Sequence, residues 1–381
     1  MGEKQVLVIG GGAAGLTAAI AAARQGAQVI ICEKQERVGK KILVTGNGRC
    51  NLTNLQVCPS AYNHSEFVSP LLERYSGAAM REFFDALGLW SYADEQGRVY
   101  PVSDSATSVL DVLRLECHRL GVEERCNFTV TSIKQKDGFM VKGTKGNKAY
   151  GDAVIVASGG GTTLLEPFGH RTIPFSPVLC PILTETKAIR GLSGLRIRCR
   201  AVLMERNTVI GEETGELLFR DYGVSGVMVF DLSRFAKEGQ TLVLDLFPDE
   251  SEETLQARFA ARAKLLSVRD TGDYLTGIFQ KRIAQTILRR AGSTDAAALA
   301  AAVKQFPLRV LGNSSEQQAQ VTRGGAEVRD FSKKTMRSRG IPGLYAVGEA
   351  LDIDGRCGGY NLHWAFASGL AAGEDAGRTE L

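Results

Sequence analysis

The chain has 381 residues, 44% of them hydrophobic and 23% charged, with a formal net charge of +4. This is the balance of a globular protein with core enough for two domains, and its longest apolar run in the first predicted helix, 13–23, ends at Arg24, too short to span a bilayer. Eight scattered cysteines, with no Cys-x-x-Cys and no Cys/His spacing, predict reduced thiols in a cytoplasmic protein without a metal site, and no basic segment before the apolar run suggests a signal peptide.

The first element is an apolar strand, Val6-Leu7-Val8-Ile9, running into Gly10-x-Gly12-x-x-Gly15. An alanine-rich helix follows over 16–25, then a second strand over 28–32 that ends at Glu33. Gly10 permits the tight turn, Gly12 lets backbone approach a pyrophosphate, and Gly15 lets helix and strand pack closely. The free N–H groups of the helix start, among them those of Ala13 and Ala14, attract the anion. Glu33 can accept hydrogen bonds from both ribose hydroxyls. The alternative is a tight turn that binds nothing, and it leaves the acid unexplained.

Next comes a loop over 34–54, rich in glycine and basic residues. Helices are predicted over 69–87 and 105–120, and strands over 122–130 and 132–136. The segments 138–141 and 149–157 read as a hairpin, the second running into Ser158-Gly159-Gly160-Gly161. From about 184–191 to 247 short alternating strands dominate (195–204, 217–219, 227–230, 241–246), the pattern of a β-barrel or sandwich. The stretch 252–305 is helical with breaks at Gly272 and Gly292, and 308–321 leads back. A strand over 343–347 ends at Gly348-Glu349, and a last helix starts near Asn361.

The C-terminal strand has no sheet of its own and is expected to join the N-terminal one. The predicted fold is therefore α/β, with a discontinuous dinucleotide-binding Rossmann domain over 1–187 and 321–381. The insertion, 188–320, comprises a β-barrel (about 188–250), a helical segment (about 251–307) and a return strand. Between Gln280 and Gly340 twelve basic residues face four acidic ones, an excess of eight. Such a face can attract an anionic substrate, a nucleotide phosphate or nucleic acid; the alternative is a solvated helix and loop surface.

Three separated segments converge on one ligand: the fingerprint, the strand and glycine turn at 153–161, and Gly348-Glu349 with Gly358-Gly359-Tyr360-Asn361. An NAD-only domain does not need the third, whereas a flavin dinucleotide does. A helix N-terminus carries about +0.5 charge and can stabilise a reduced flavin at its N1–C2 edge. No second Gly-x-Gly-x-x-Gly exists, so NAD(P)H, as a donor, would dock transiently.

At this point the chain resembles the BaiN/YhiN-like, or aminoacetone oxidase, family of FAD-binding flavoproteins. The resemblance covers nearly the whole chain. It rests on the run from Gly39-Lys40-Lys41 to Leu52-Thr53-Asn54, on Gly348-Glu349-Ala350-Leu351-Asp352-Ile353-Asp354-Gly355, on Gly358-Gly359-Tyr360-Asn361-Leu362, and on Val321-Thr322-Arg323-Gly324-Gly325-Ala326. It implies a glutathione-reductase-type FAD domain with an inserted β-barrel and helical part. Members are linked to reduction of a double bond conjugated to a ketone in 3-oxo bile acid intermediates, and to oxidation of an aminoketone. The resemblance places Gly10, Gly12, Ala13, Ala14 and Gly15 at the pyrophosphate and Glu33 and Lys34 at the adenosine ribose. It places Lys41, Gly46, Arg49, Cys50 and Asn51 at the flavin side, the Val130 backbone at adenine, and Ala157 and Gly159 along the adenosine or pyrophosphate. Gly348, Glu349, Gly359, Tyr360, Asn361 and Leu362 are implied at the ribityl chain and ring.

Tyr360 and His363 are candidate proton donors to a substrate enolate; the alternative for His363 is packing in the first helical turn. Cys50 and Cys357 could form a redox pair if their Cα atoms lie within about 7 Å. Arg49 could bind an anionic group or flavin O2, or brace the backbone. The expected function is reduction of a conjugated C=C by hydride from flavin N5, on a steroid-like or other small enone. An amine or aminoketone oxidase is the alternative among enzymes. A flavin-bearing RNA-binding or RNA-modifying protein is the alternative of another class, although nucleic acid is not the expected partner. No membrane partner is expected, and the sequence carries no signal for an oligomeric state.

Overall fold

A computed structural model describes residues 3–265 and 273–378. The predicted break at Gly272 lies outside the described residues. The polypeptide forms two compact units, one from residues 1–176 with 321–381 and one from 177–320, each with its own apolar cluster. The first crossing thus comes ahead of residue 188, because the strand Ile182–Thr184 belongs to the second unit's barrel.

The first unit is built on a parallel five-stranded sheet. Its order is Leu344–Ala346, Ala153–Val156, Gln5–Ile9, Gln28–Cys32 and Glu123–Arg125. Val6, Leu7 and Val8 are wholly buried, as a central parallel strand covered on both faces requires. The C-terminal strand joins the N-terminal sheet, so the domain is discontinuous, with a Rossmann-type parallel sheet.

The first helix, Ala13–Arg24, packs along the last, Tyr360–Gly377. Gly369, Gly373 and Gly377, four apart, share one face. A Cβ on each would lie 2.3, 2.2 and 2.6 Å from the carbonyl oxygens of Ala14, Ala18 and Ala22. Only hydrogen on that face allows the backbones to meet, and this contact sets where the first helix begins.

The second unit holds a closed antiparallel barrel. Its strands run in the order Ile182–Thr184, Gly223–Ser225, Thr208–Phe219, Arg196–Glu205, Thr241–Asp245 and Phe306–Asn313. Helices Glu252–Leu265, Lys281–Ala291 and Ala296–Lys304 accompany it. Among the described residues no helix is long and apolar enough to cross a membrane.

Four predicted elements differ. The helix over 69–87 is two helices, Ser65–Arg74 and Gly77–Ala86, because Ser76 caps the second and Gly77 packs its backbone on the Asn54 carbonyl. The hairpin is Phe139–Gly143 with Lys148–Gly151, while Ala153–Val156 joins the parallel sheet. The strand expected over 227–230 is a helix, Val227–Ser233, whose Met228, Val229 and Leu232 are buried at helical spacing. Finally, the stretch over 308–321 begins as a barrel strand with alternating burial, Phe306–Asn313.

Candidate active site

Every site residue named from the sequence falls in the first unit. Gly10 turns with φ +101°, and a Cβ there would meet the Ala157 oxygen at 2.5 Å. The turn is therefore pressed against the strand end that carries Ala157 and Gly159. Gly15 is closer still, its Cβ position 1.9 Å from the Gly10 oxygen. Gly12, the N-cap, has nothing within 4 Å of its Cβ position. That leaves open space in front of the free N–H groups of the first helical turn, among them those of Ala13 and Ala14.

Glu33 is buried, and its two carboxylate oxygens accept from the Gly11 and Gln35 amides at 2.7 and 2.8 Å. Each oxygen keeps a further lone pair for a ribose hydroxyl. Lys34 beside it is exposed. The Glu33 backbone carbonyl accepts from the Phe128 amide at 2.8 Å, which draws the strand Val130–Gln135 and the half-buried Val130 to this side.

The loop over 41–54 folds through left-handed backbone at Gly46, Asn47, Gly48 and Cys50. Asn47 and Cys50 do so without being glycine, the strain that clusters at ligand clamps. A Cβ at Gly46 would lie 2.9 Å from the Asn51 amide. Lys41 Nζ pairs with Glu349 Oε2 at 2.7 Å, tying the loop to the C-terminal segment. Arg49 lies over the Tyr100 ring at 4.4 Å, which favours its bracing role. Asn51 is buried and its Oδ1 has no partner in the protein.

Gly348 sits beside Ala14, its Cβ position 3.1 Å from the Ala14 Cβ, and its amide donates to Ser368 Oγ. Glu349 Oε2 is 3.8 Å from the Cβ position of Gly159. The fingerprint, the 153–161 turn and the Gly348 segment thus meet at one place. Gly359 caps the last helix with φ +102° and packs on the Thr53 carbonyl. The Asn361 side chain closes its own loop, donating to the Gly355 oxygen and accepting from the Gly355 amide. Its backbone, not its amide group, is left for a ligand. Leu362 and Tyr360 are half-buried.

Two of the catalytic candidates are buried. His363 is fully buried, its Nδ1 2.7 Å from Thr53 Oγ1 and its Nε2 without a partner. Desolvation pushes its pKa down to about 4, so the ring is neutral at pH 7. Cys50 is also fully buried, and burial pushes its thiol up to about 12. The burial of both side chains favours a packing role over direct contact with a substrate. Among the described residues no disulfide joins Cys50 to Cys357 or any other pair of cysteines. Tyr360 remains the accessible proton-donor candidate.

Three partners carried no sequence signal for their roles. Thr53 fixes the His363 ring. Tyr62 donates its hydroxyl to the Tyr360 oxygen at 2.8 Å and sets its ring edge against Tyr360. Arg323 holds both oxygens of the fully buried Asp354 at 2.7 and 2.8 Å. Thr53, Arg323 and Asp354 lie within the motifs quoted above and Tyr62 does not.

A parallel sheet, a glycine turn under a helix N-terminus, a buried acid and a third converging segment define a dinucleotide-binding flavoprotein of the Rossmann class. The chain belongs to the HI0933-like protein Rossmann domain family, whose model matches residues 4–375. It is 34% identical to a 3-dehydro-bile acid delta(4,6)-reductase of Clostridium scindens, over 97% of this chain and 98% of that one. It is 28% identical to a ribosomal RNA dihydrouridine synthase of Escherichia coli, over 97% of each chain. Among solved structures, a 3-ketosteroid-delta4-(5alpha)-dehydrogenase from Rhodococcus jostii shares the fold, with TM-score 0.50 and 15% identity, covering 99% of this chain and 97% of that one. The protein is an FAD-dependent oxidoreductase. Its residues fit FAD: the orphaned Asn51 oxygen awaits a donor, Gly12 leaves room for the pyrophosphate, and Glu33 has lone pairs to spare.

Proposed function

We propose that this enzyme reduces a carbon–carbon double bond conjugated to a carbonyl. The observation that carries the reading is the meeting of the fingerprint, the 153–161 turn and the Gly348 segment around room for a flavin dinucleotide. The activities named for the two relatives support it. A delta(4,6)-reductase of a 3-dehydro bile acid and a dihydrouridine synthase both saturate a C=C conjugated to a carbonyl.

Bound FAD supplies the hydride, at N5. The chain's residues do the rest. The N-terminus of the helix Tyr360–Gly377 contributes about +0.5 charge toward developing negative charge. Tyr360, in the first turn of that helix, holds the proton that the substrate takes up after hydride addition. Tyr62 fixes its backbone and ring edge. NADH or NADPH, docking transiently, is the proposed electron donor.

Anaerobic mixing of the holoprotein with each nicotinamide, followed by an enone, tests this. Rapid bleaching of the flavin absorbance and its return on adding a conjugated ketone are expected. Tyr360→Phe should leave bleaching intact and slow the return by about 10²–10⁴-fold. Bleaching only by an aminoketone, with reoxidation by oxygen and not by enones, would sink the reductase reading.

A further inference from the structure

The second unit carries a cavity of about 800 Å³ whose lining includes none of the residues assigned to the flavin site. Arg190, Arg282 and Arg289 line it together with Gly191, Thr286 and Thr294, and no acidic residue does. Arg282, Thr286 and Arg289 follow at helical spacing on Lys281–Ala291, so one face presents both guanidinium groups. They are held in place: Arg282 Nη1 donates to the Gly191 oxygen at 2.9 Å and Arg289 Nη2 to Thr286 Oγ1 at 2.9 Å. Arg190 is exposed on the facing turn. Among the described residues none of the three has a carboxylate within 4.0 Å.

Five of the other ten basic residues between Gln280 and Gly340 have partners elsewhere. Lys304 pairs with Asp245, Arg309 with Glu185, Arg323 with Asp354, and Arg329 with Glu327. Arg290 lies over Phe306. The helix end near Gly292 contributes about half a negative charge, which three guanidinium groups outweigh. An adjoining cavity of about 420 Å³ shares Arg190 and Gly191, adds Lys187, and holds one acid, Asp221.

We propose that this arginine cavity binds a ligand carrying two or more phosphate groups. Guanidinium forks match phosphate oxygens in pairs, and three of them in a space this size exceed the needs of a single small anion. Two sources share that chemistry: the phosphodiester backbone of a single-stranded nucleic acid, and the pyrophosphate of a nucleotide. Binding is read here without any flavin turnover, so the result stands apart from the proposed reaction.

The test is anisotropy of a fluorescent oligouridylate of about a dozen nucleotides on the holoprotein at about 50 mM salt, with calorimetry of inorganic pyrophosphate as the second arm. Binding of either probe, weakened at least about tenfold in R282Q/R289Q, is expected, as two lost charge-assisted contacts require. If the oligouridylate is the ligand, its salt slope should fall by about 1.4, two phosphate contacts on a single strand. Among the described residues Arg190 has no side-chain hydrogen bond or ion pair and it is exposed, so R190Q should weaken the same probe without risk to the fold. R196Q/R198Q removes equal charge elsewhere and should change binding less than about twofold. Binding of the oligouridylate alone assigns the backbone, and of pyrophosphate alone the nucleotide. No binding of either probe, or equal loss in the R196Q/R198Q control, overturns the proposal.

Discussion

Glu33 Oε2 accepts a hydrogen bond from the Gly11 amide at 2.7 Å, so the acid that ends the second strand braces the glycine turn from inside. A dinucleotide is then offered a ribose acceptor and a pyrophosphate cradle as one rigid piece. Glu33→Gln replaces one acceptor oxygen with a donor that faces an N–H. Loss of a charge-assisted bond in a buried place costs about 1.5–3 kcal/mol, which is about ten- to a hundredfold in affinity. FAD titration of the stripped protein should show that loss, and the melting temperature of the apoprotein should fall by several degrees, because the same carboxylate braces the turn. Equal affinity would remove Glu33 from the site.

Gly369 makes a test of the helix contact in which propensity and packing oppose each other. Alanine in a helix interior is favoured over glycine by about 1 kcal/mol. Yet a Cβ here would stand 2.3 Å from the Ala14 carbonyl oxygen, and backbone cannot yield as a flexible side chain does. Overpacking costs about 1–3 kcal/mol, so Gly369→Ala should lower the melting temperature by several degrees. It should also weaken FAD, because Ala14 lies in the first turn of the helix proposed to face the pyrophosphate. A raised melting temperature would mean the two helices are not in this contact.

Much of this architecture was legible because a local physical cause marked it. The Gly10-x-Gly12-x-x-Gly15 turn, the buried strands and the Glu33 position each leave a signal in a few adjacent residues. The barrel was legible as alternation, although Val227–Ser233 was misread because Met228, Val229 and Leu232 suit a strand as well as a helix. What adjacent residues cannot carry is contact between distant ones. Thr53 with His363, Tyr62 with Tyr360, and Arg323 with Asp354 lie up to 310 positions apart. The burial of His363 and Cys50 comes from such contacts, which their own sequence neighbourhoods do not show.

His363 gives the protein an acid-sensitive joint. Its folded pKa is about 4 against an ordinary 6.5, so below pH 6.5 the unfolded chain binds a proton that the folded one refuses. The neutral ring's stabilising contribution is complete above about pH 6.5 and is lost as pH falls toward 4. At about 1.4 kcal/mol per unit, denaturant unfolding should show a loss of about 2 kcal/mol between pH 7 and 5 from this group alone. His363→Gln should flatten that part of the profile while leaving the activity-pH profile above pH 7 unmoved. A wild-type slope that survives the substitution would place the acid sensitivity elsewhere.

Cys50 separates a structural thiol from a redox one. It is fully exposed to neither water nor ligand, and a thiol raised to about 12 holds almost no thiolate at pH 8. Native holoprotein should leave Cys50 unlabelled by iodoacetamide for hours, while half-buried Cys58, Cys126 and Cys357 react sooner. Denaturation should then release it for modification, as peptide mass mapping would record. Cys50→Ala removes a small buried group at a left-handed position, φ +59°, and should cost stability and no more than a few-fold in flavin turnover. A collapse of turnover in both Cys50→Ala and Cys357→Ser, with FAD still bound, would instead restore the cysteine pair to the chemistry.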